Sequence, residues 1–127
     1  MAITPGGAVM PFGTPGGDVQ TQAMLQVFLN ISLFGMDLQN AVEAPRFASF
    51  SYESSFEPHE IQLDRLMVEE PIDAGTIAAL SAKGHDAQTW PAMNWRAGSV
   101  CVVRHDIATG VRTAGADPRR PAYALGW

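Results

Sequence analysis

The sequence predicts an α+β fold built as a single domain over residues 1–127. Three patterns support this class. A long apolar segment from Val19 to Phe34 has helical spacing, and a second helical segment runs from Ile72 to Lys83. Near the C-terminus, two short apolar segments flank a glycine-containing turn, which is typical of an antiparallel hairpin. A chain of 127 residues has the size of one domain.

The first strand and the first helix are separated by a glycine-rich turn. Ala8 to Phe12 predicts a short strand, in which Pro11 indicates a sheet edge or an irregularity because proline has no backbone N–H to donate. The helix from Val19 to Phe34 follows. Asp18 is its predicted N-cap and Gly35 its predicted C′ residue.

The middle of the chain predicts shorter elements. Asp37 caps a second helix that ends near Glu43. Ala44-Pro45 then enforces an extended exit, because the residue before a proline avoids the α region. Residues 46–58 predict a strand followed by a loop, and residues 59–68 predict one or two further strands.

The C-terminal half predicts a helix and then the hairpin. The helix from Ile72 to Lys83 ends at Gly84. Its predicted buried side consists of Ile72, Ile77, Ala78 and Leu80. Val100 to Arg104 and Val111 to Ala114 predict the two strands of the hairpin, and Asp106 is a turn residue between them.

The first helix is apolar almost all round. Its polar residues Gln22, Gln26 and Asn30 form one narrow stripe, and nearly every other position is apolar. Such a helix is expected to be buried on most sides, and 127 residues offer little to cover it. The pattern therefore predicts a partner surface over residues 19–34. The segment is too short and too interrupted to span a membrane.

Composition and scattered residues exclude several classes of function. The net charge is −5 with only 8 Lys+Arg and no basic cluster, so nucleic-acid binding is not expected. Cys101 is interpreted as a small buried strand residue. The histidines lack metal-ligand spacing, and no metal site is predicted on His59, His85 and His105. The N-terminus lacks a signal-peptide pattern, which leaves the cytoplasm as the default and the periplasm open for a longer precursor.

The glycine turn is the strongest candidate for a functional site. Gly16 and Gly17 directly precede the helix, where backbone N–H groups are uncovered and the helix dipole favours negative charge. The turn is not a phosphate loop, since no Gly-Lys-[Ser/Thr] follows. Taken alone, the motif fits either an anion-binding turn or a tight strand-to-helix connection.

Other polar and aromatic residues have mainly structural interpretations. Arg46 is expected in a structural ion pair, although it could also bind a substrate carboxylate. Asp117 is a predicted turn residue whose carboxylate pairs with Arg119 or caps nearby amides. The tryptophans are predicted core or interface residues: Trp90, Trp95 and Trp127.

Several motifs in register resemble the gamma-glutamyltransferases (gamma-glutamyltranspeptidases). Gly13-Thr14-Pro15-Gly16-Gly17 resembles that family's Gly-[Ser/Thr]-Pro-Gly-Gly motif. Further segments follow in the family's order: Leu25-Gln26-Val27-Phe28-Leu29-Asn30, Phe34-Gly35, Ala41 and Ala44-Pro45-Arg46-Phe47. Asp117-Pro118-Arg119 and the Gly126-aromatic ending match its C-terminal signature, so the resemblance covers nearly the whole chain.

The resemblance implies part of the αββα sandwich of the N-terminal-nucleophile hydrolases. In that family a precursor cuts itself into a large and a small subunit. The new N-terminal threonine attacks a gamma-glutamyl amide such as glutathione, and the acyl group passes to water or an amino acid. The amides of Gly16 and Gly17 would form the oxyanion hole. Thr14 and Asp18 are candidate substrate-binding residues, and no cofactor is implied.

The resemblance also predicts what this chain lacks. It matches the C-terminal portion of the small subunit, so the nucleophilic threonine and the family's paired serines would lie ahead of Met1. Thr4 does not match the nucleophile's motif. The rest of the small subunit and the large subunit are the predicted partners, and the chain alone is expected to be inactive.

Two alternatives stay open. Asp18 stands where the family usually has a small polar residue, and Phe47-Ala48-Ser49 lacks its histidine-rich continuation. The acyl group could therefore be a small oxo-acid or a glutaryl-type chain rather than gamma-glutamyl. The chain could instead be a non-catalytic module that buries the 19–34 helix in a homo-oligomer.

Overall fold

The computed structural model describes residues 1–126, which form helices and strands as the sequence predicts. The helices are α1 (Gln20–Ser32), α2 (Leu38–Glu43) and α3 (Ala74–Ala82). The strands are β1 (Ala2–Ile3), β2 (Val9–Met10), β3 (Phe12–Gly13), β4 (Phe47–Ser49), β5 (Arg65–Glu69), β6 (Asp86–Trp90), β7 (Cys101–His105) and β8 (Arg112–Gly115). Trp127 lies outside the described residues, so the prediction for it stays open.

The first sheet is centred on β7. The hairpin partner β8 pairs antiparallel with one edge of β7, and β2 and β3 pair antiparallel with the other. Val9 lies opposite His105 and Phe12 opposite Val102, so β2 and β3 continue one another in the same register. Pro11 interrupts them because it cannot donate, although its carbonyl still accepts from the Val103 N–H at 3.1 Å. The predicted irregularity is confirmed.

The second sheet combines antiparallel and parallel pairing. β4 runs antiparallel to β5, and β5 runs parallel to β6 after a crossover through α3. Of the predicted strand region 59–68, only the part from Arg65 onward is correct. His59 and Asp64 have left-handed backbone, with φ of 62° and 61°, and such residues cannot continue a strand.

Helix α1 is shorter than predicted and is buried on one face within this chain. Ala23 and Val27 are fully buried in a cluster with Met10 and Val102 of the first sheet, the neighbouring Val100 and the buried side of α2. Its remaining apolar side chains are partly or largely exposed, and Leu25 is 57% exposed. The expectation of burial on most sides is therefore wrong for residues 1–126 alone, because the first sheet, α2 and β4 leave the side of the helix that carries Leu25 uncovered.

The polar stripe of α1 completes the open edge of β4. The Gln22 amide group donates to the Ser49 carbonyl at 3.0 Å and accepts from the Ser49 N–H at 2.8 Å. Gln26 pairs with the N–H and carbonyl of Phe47 in the same way, at 3.1 and 2.9 Å. Each glutamine satisfies one residue of β4 as a further strand would.

The remaining element predictions are mostly confirmed. Asp37 caps α2 through the Asn40 N–H, and Asp106 accepts from Thr109 N–H in the hairpin turn. Helix α3 forms but buries none of its residues completely, so its predicted buried side is incomplete. Cys101 lies on β7 as predicted but is exposed, because Val102 takes the inward position of the alternating strand.

None of the helices in residues 1–126 has the length and apolar character needed to cross a bilayer.

Candidate functional site

The glycine turn has a backbone that only glycine adopts readily. Gly16 has φ 139° and ψ 19°, and Gly17 has φ 60°. Gly17–Val19 then forms one turn of 3₁₀ helix that leads directly into α1. Asp18 lies inside this turn and caps nothing, so its predicted N-cap role is wrong.

The two glycine amides remain without internal acceptors. Within residues 1–126, no hydrogen bond joins the N–H of Gly16 or Gly17 to another group. Gly16 is exposed and Gly17 is half-buried. The ring of Phe56 lies over Gly17, where a Cβ would approach its Cε2 to 2.8 Å. The turn therefore presents two donors under an aromatic cover.

A cavity of about 310 Å³ lies beside these donors. Gly16 and Asp18 line it together with aromatic side chains, among them Phe50, Tyr52 and Phe56. The walls are mostly apolar and Gly16 lies at one side, which is the usual composition of a site for a small organic ligand, whereas Gly17 borders a neighbouring depression.

Asp18 holds the loop that carries Phe56. Its carboxylate accepts from the Ser54 hydroxyl at 3.0 Å and from the Ser55 N–H and hydroxyl at 2.9 and 2.5 Å. The Ser55 hydrogen bonds hold the pKa of Asp18 below its usual value. The carboxylate is therefore charged and engaged within the chain.

Thr14 ties the turn to the segment behind it. Its hydroxyl accepts from the Ser99 N–H at 2.7 Å and donates to the Pro15 carbonyl at 2.7 Å. Gly98, with φ 84°, packs closely there, because a Cβ would approach the Thr14 Oγ1 to 3.3 Å and the Ala23 Cβ to 2.9 Å. The predicted substrate contacts of Thr14 and Asp18 stay predictions, since both polar side chains have partners inside the chain.

Four buried charged residues hold the segment behind the turn, and we call them the buried charge cluster: Arg46, Glu69, Asp117 and Arg119. Arg46 Nη2 lies 2.6 Å from Asp117 Oδ2, and Arg119 Nη1 lies 3.1 Å from Asp117 Oδ1. Arg119 Nη2 lies 2.5 Å from Glu69 Oε2. Two positive and two negative charges compensate one another away from water.

The buried charge cluster confirms two predictions and settles an alternative. Asp117 pairs with Arg119 and also accepts from the Val100 N–H at 3.0 Å. Arg46 is structural, because it is 1% exposed and cannot reach a substrate carboxylate. Burial lowers the pKa of Arg46, despite Asp117. Burial also opposes the charge of Arg119, but its hydrogen bond to Glu69 and the charge of Asp117 raise its pKa.

The same cluster positions the backbone behind the turn. Arg46 Nη1 donates to the carbonyls of Ala97 and Gly98 at 3.2 and 3.3 Å. Glu69 accepts from the Asn94 N–H at 2.9 Å. Sequence reasoning missed Glu69, although a carboxylate that ends the apolar run Leu66-Met67-Val68 is a signal that a buried partner is needed.

The remaining candidates lie apart from the turn or play other roles. Trp90 is a core residue as predicted, whereas Trp95 is 56% exposed, so the core option is wrong for it. The interface option for Trp95 stays a prediction. No group of three His, Cys, Asp or Glu residues within 1–126 could hold a metal ion.

Comparison with known proteins identifies the family. A family model described as Gamma-glutamyltranspeptidase matches residues 1–127. The chain belongs to the gamma-glutamyltranspeptidase family. The resemblance inferred from the sequence is thereby confirmed, and the mixed helix and sheet structure is compatible with part of the family's αββα sandwich.

Individual relatives match different parts of the chain. The glutathione hydrolase proenzyme of Pseudomonas sp. (strain A14) is 52% identical over 42 residues, which are 33% of this chain and 7% of that proenzyme. The solved structure of LmbA2991HD is 40% identical with a TM-score of 0.81, over 87% of this chain and 20% of its own. Cephalosporin acylase from Bacillus halodurans is 29% identical with a TM-score of 0.70, over 86% of this chain and 18% of its own.

These two solved chains are much longer than the present one. Residues 1–127 span about a fifth of each. Members of the family are enzymes composed of a large and a small subunit. The glycine turn lies within the residues that the family model matches.

Proposed function

We propose that the chain forms one domain of the small subunit of an N-terminal-nucleophile amidohydrolase or acyltransferase. In this proposal the amides of Gly16 and Gly17 form the oxyanion hole. The observation that carries it is the pair of N–H donors without internal acceptors, held in a backbone conformation that requires glycine.

The chemistry follows from where negative charge develops. When a nucleophilic oxygen attacks the carbonyl carbon of an acyl amide, the carbonyl oxygen becomes an oxyanion. Donors already fixed in position stabilise that charge without reorganising, and removing one donor typically costs about 2.7–4 kcal/mol of barrier. The buried charge cluster and Thr14 supply this rigidity from behind the turn.

The nucleophile is proposed to come from a preceding segment of the same polypeptide. The family pattern places the reactive threonine ahead of the region that residues 1–127 match. The exposed apolar side chains on and after α1, which include Leu25, Leu33 and Phe34, support the proposal that other parts of the small and large subunits cover this helix. A homo-oligomer that buries residues 19–34 is the alternative.

The acyl group defines two candidate substrate classes. The glutathione hydrolase proenzyme among the relatives supports a gamma-glutamyl amide such as glutathione. The cephalosporin acylase supports a different acyl group.

The first prediction tests the oxyanion hole. In the complete polypeptide, Gly17→Ala should lower kcat by about 10²–10³-fold with little change in KM, because the contact forms only in the transition state. The physical cause is the Cβ, which would displace the turn from under Phe56. Rates are measured with gamma-glutamyl and glutaryl p-nitroanilides.

Gly35→Ala is the matched control for this experiment. Gly35 also has a left-handed φ, 68°, but a Cβ there meets nothing within 4 Å. It should therefore show the backbone strain alone and keep kcat. A complete polypeptide without a nucleophilic segment ahead of residue 1, or a Gly17→Ala effect on KM only, would contradict the proposal.

A further inference from the structure

A second cavity of about 160 Å³ adjoins the one beside the glycine turn. The two cavities share three residues: Gly16, Val19 and Phe50. The lining of the smaller cavity is completed by Trp95, Arg96 and Arg120. At about 30 Å³ per water molecule, it has room for about five waters, which is the scale of a short organic chain.

Two arginines meet at one indole ring in this smaller cavity. The guanidinium carbon of Arg96 lies 5.6 Å from the centre of the Trp95 ring, and that of Arg120 lies 5.3 Å from it. Cation–π attraction holds each group against the ring. Both positive charges therefore lie within 5.6 Å of the centre of one ring and border the same cavity.

Neither guanidinium has an acceptor inside the chain. Within residues 1–126, no carboxylate or carbonyl pairs with the side chain of Arg96 or Arg120, and Arg120 Nε is buried without a partner. None of the lining residues is acidic. In a chain of net charge −5, two arginines that line one cavity without an acid indicate a site for an external anion.

We infer that Arg96 and Arg120 bind a carboxylate at the far end of the acyl group whose carbonyl is held at Gly16 and Gly17. This inference rests on the proposed function and narrows its substrate class. The apolar walls from Val19 and Phe50 would pack against the methylene groups between the two ends.

The lining also discriminates between acyl groups. An acyl group with a carboxylate and no amine, such as glutaryl, fits two guanidinium groups. A gamma-glutamyl group carries an ammonium next to its carboxylate, and the smaller cavity offers it no acid. The acids Asp18, Glu57 and Glu60 line the larger cavity and not the smaller one, and Asp18 is already engaged by Ser54 and Ser55. The selected substrates are therefore short dicarboxylic acid monoamides.

Binding to the present chain tests the site without any turnover. The probe is glutaramate, compared with butyramide, which lacks the carboxylate, with L-glutamine, which adds the amine, and with inorganic phosphate. Calorimetry gives each Kd, and the indole N–H signal of Trp95 in NMR spectra reports the place of binding. Glutaramate should bind at least about tenfold more tightly than each comparison ligand.

Variants assign the binding to the two arginines. R96Q and R120Q should each raise the Kd of glutaramate by about tenfold or more, whereas R96K and R120K should retain part of the binding. R104Q, on an exposed arginine of β7, removes the same charge elsewhere and should leave the Kd unchanged. Circular dichroism of each variant verifies that its helix and sheet content is intact.

Each contrary result overturns the inference in a different way. Equal binding of butyramide removes the carboxylate requirement, and tighter binding of phosphate makes the cavity a general anion site. Tighter binding of L-glutamine reverses the selectivity, and an unchanged Kd in folded R96Q and R120Q places the ligand elsewhere. If glutaramate binds as expected but the complete polypeptide shows no turnover, the proposed function fails while the binding site stands.

Discussion

Guanidinium groups occur in two different surroundings, one with internal acceptors in the buried charge cluster and one without them at the ring of Trp95. Arg46 and Arg119 are enclosed, and both donate to buried carboxylates and to backbone carbonyls. Arg96 and Arg120 contact an aromatic face and have no acceptor within residues 1–126. Arg46 and Arg119 therefore hold the fold together, whereas Arg96 and Arg120 are available to a ligand.

The same distinction applies to backbone donors. The edge of β4 is fully satisfied by Gln22 and Gln26, whereas the amides of Gly16 and Gly17 are left open. Gly16 is exposed and Gly17 half-buried, so these open donors are accessible to a ligand. The backbone groups of β4 are bonded within the scaffold, whereas the amides of Gly16 and Gly17 are open at the candidate site.

The largest expected effect comes from breaking the buried charge cluster. Asp117→Asn should lower the free energy of unfolding by about 3–5 kcal/mol, because it leaves excess positive charge buried. Asp86→Asn is the matched control. Asp86 pairs with Arg65 at 2.6 Å on the surface, and its loss should cost about 0.2–1 kcal/mol. Urea unfolding measures both, and equal losses would contradict the distinction between the two environments.

A smaller effect is expected from opening the edge of β4. Gln22→Ala removes both hydrogen bonds to Ser49 and should lower the unfolding free energy by about 1–3 kcal/mol, since a partly buried N–H and carbonyl lose their partners. Thr21→Ala, at an exposed position of the same helix, should change it by less than about 0.5 kcal/mol. An unaffected Gln22→Ala protein would mean that water replaces the glutamine without cost.

The pH dependence of the unfolding free energy tests how much the carboxylate of Asp18 stabilises its loop. Hydrogen bonds from Ser55 lower the pKa of Asp18 in the folded state. Its contribution to stability is therefore complete above the unfolded pKa of about 3.9 and is lost as the pH falls through the folded pKa. In urea titrations below about pH 4, Asp18→Asn should show a shallower loss of stability than the parent chain. If the two proteins lose stability identically at acid pH, Asp18 does not contribute to the pH dependence of unfolding.

The smallest expected effect is on the stability of the arginine pair. Arg96→Gln should lower the unfolding free energy by at most about 1 kcal/mol, because the exposed side chain loses only its cation–π contact with Trp95 and makes no ion pair within residues 1–126. The measurement is the same urea unfolding series. A large destabilisation would mean that Arg96 serves the fold, as Arg46 does.

Local signals were sufficient for much of the fold. Proline, glycine and capping aspartate residues correctly marked the break at Pro11, the start of α2 at Asp37 and the hairpin turn at Asp106. Burial was harder to predict, because it depends on what packs against an element. The outward position of Cys101 followed from strand alternation that the apolar run concealed.

The candidate site could be predicted only where it is local in sequence. Gly16 and Gly17 are adjacent, so their turn was visible as a motif. The buried charge cluster draws on residues from 46 to 119, and Glu69 had no local sign of its partners. The meeting of Arg96 and Arg120 at Trp95 likewise depends on how the C-terminal segment returns to the turn.

In the proposed function, open N–H donors at the glycine turn stabilise a developing oxyanion. Its most direct test is a crystal structure of the complete polypeptide with a tetrahedral phosphonate adduct on its nucleophile. We expect an adduct oxygen about 2.7–3.1 Å from the backbone nitrogens of both Gly16 and Gly17. An adduct oxygen directed away from the turn, with both amides bonded to carbonyl groups of another segment, would contradict it.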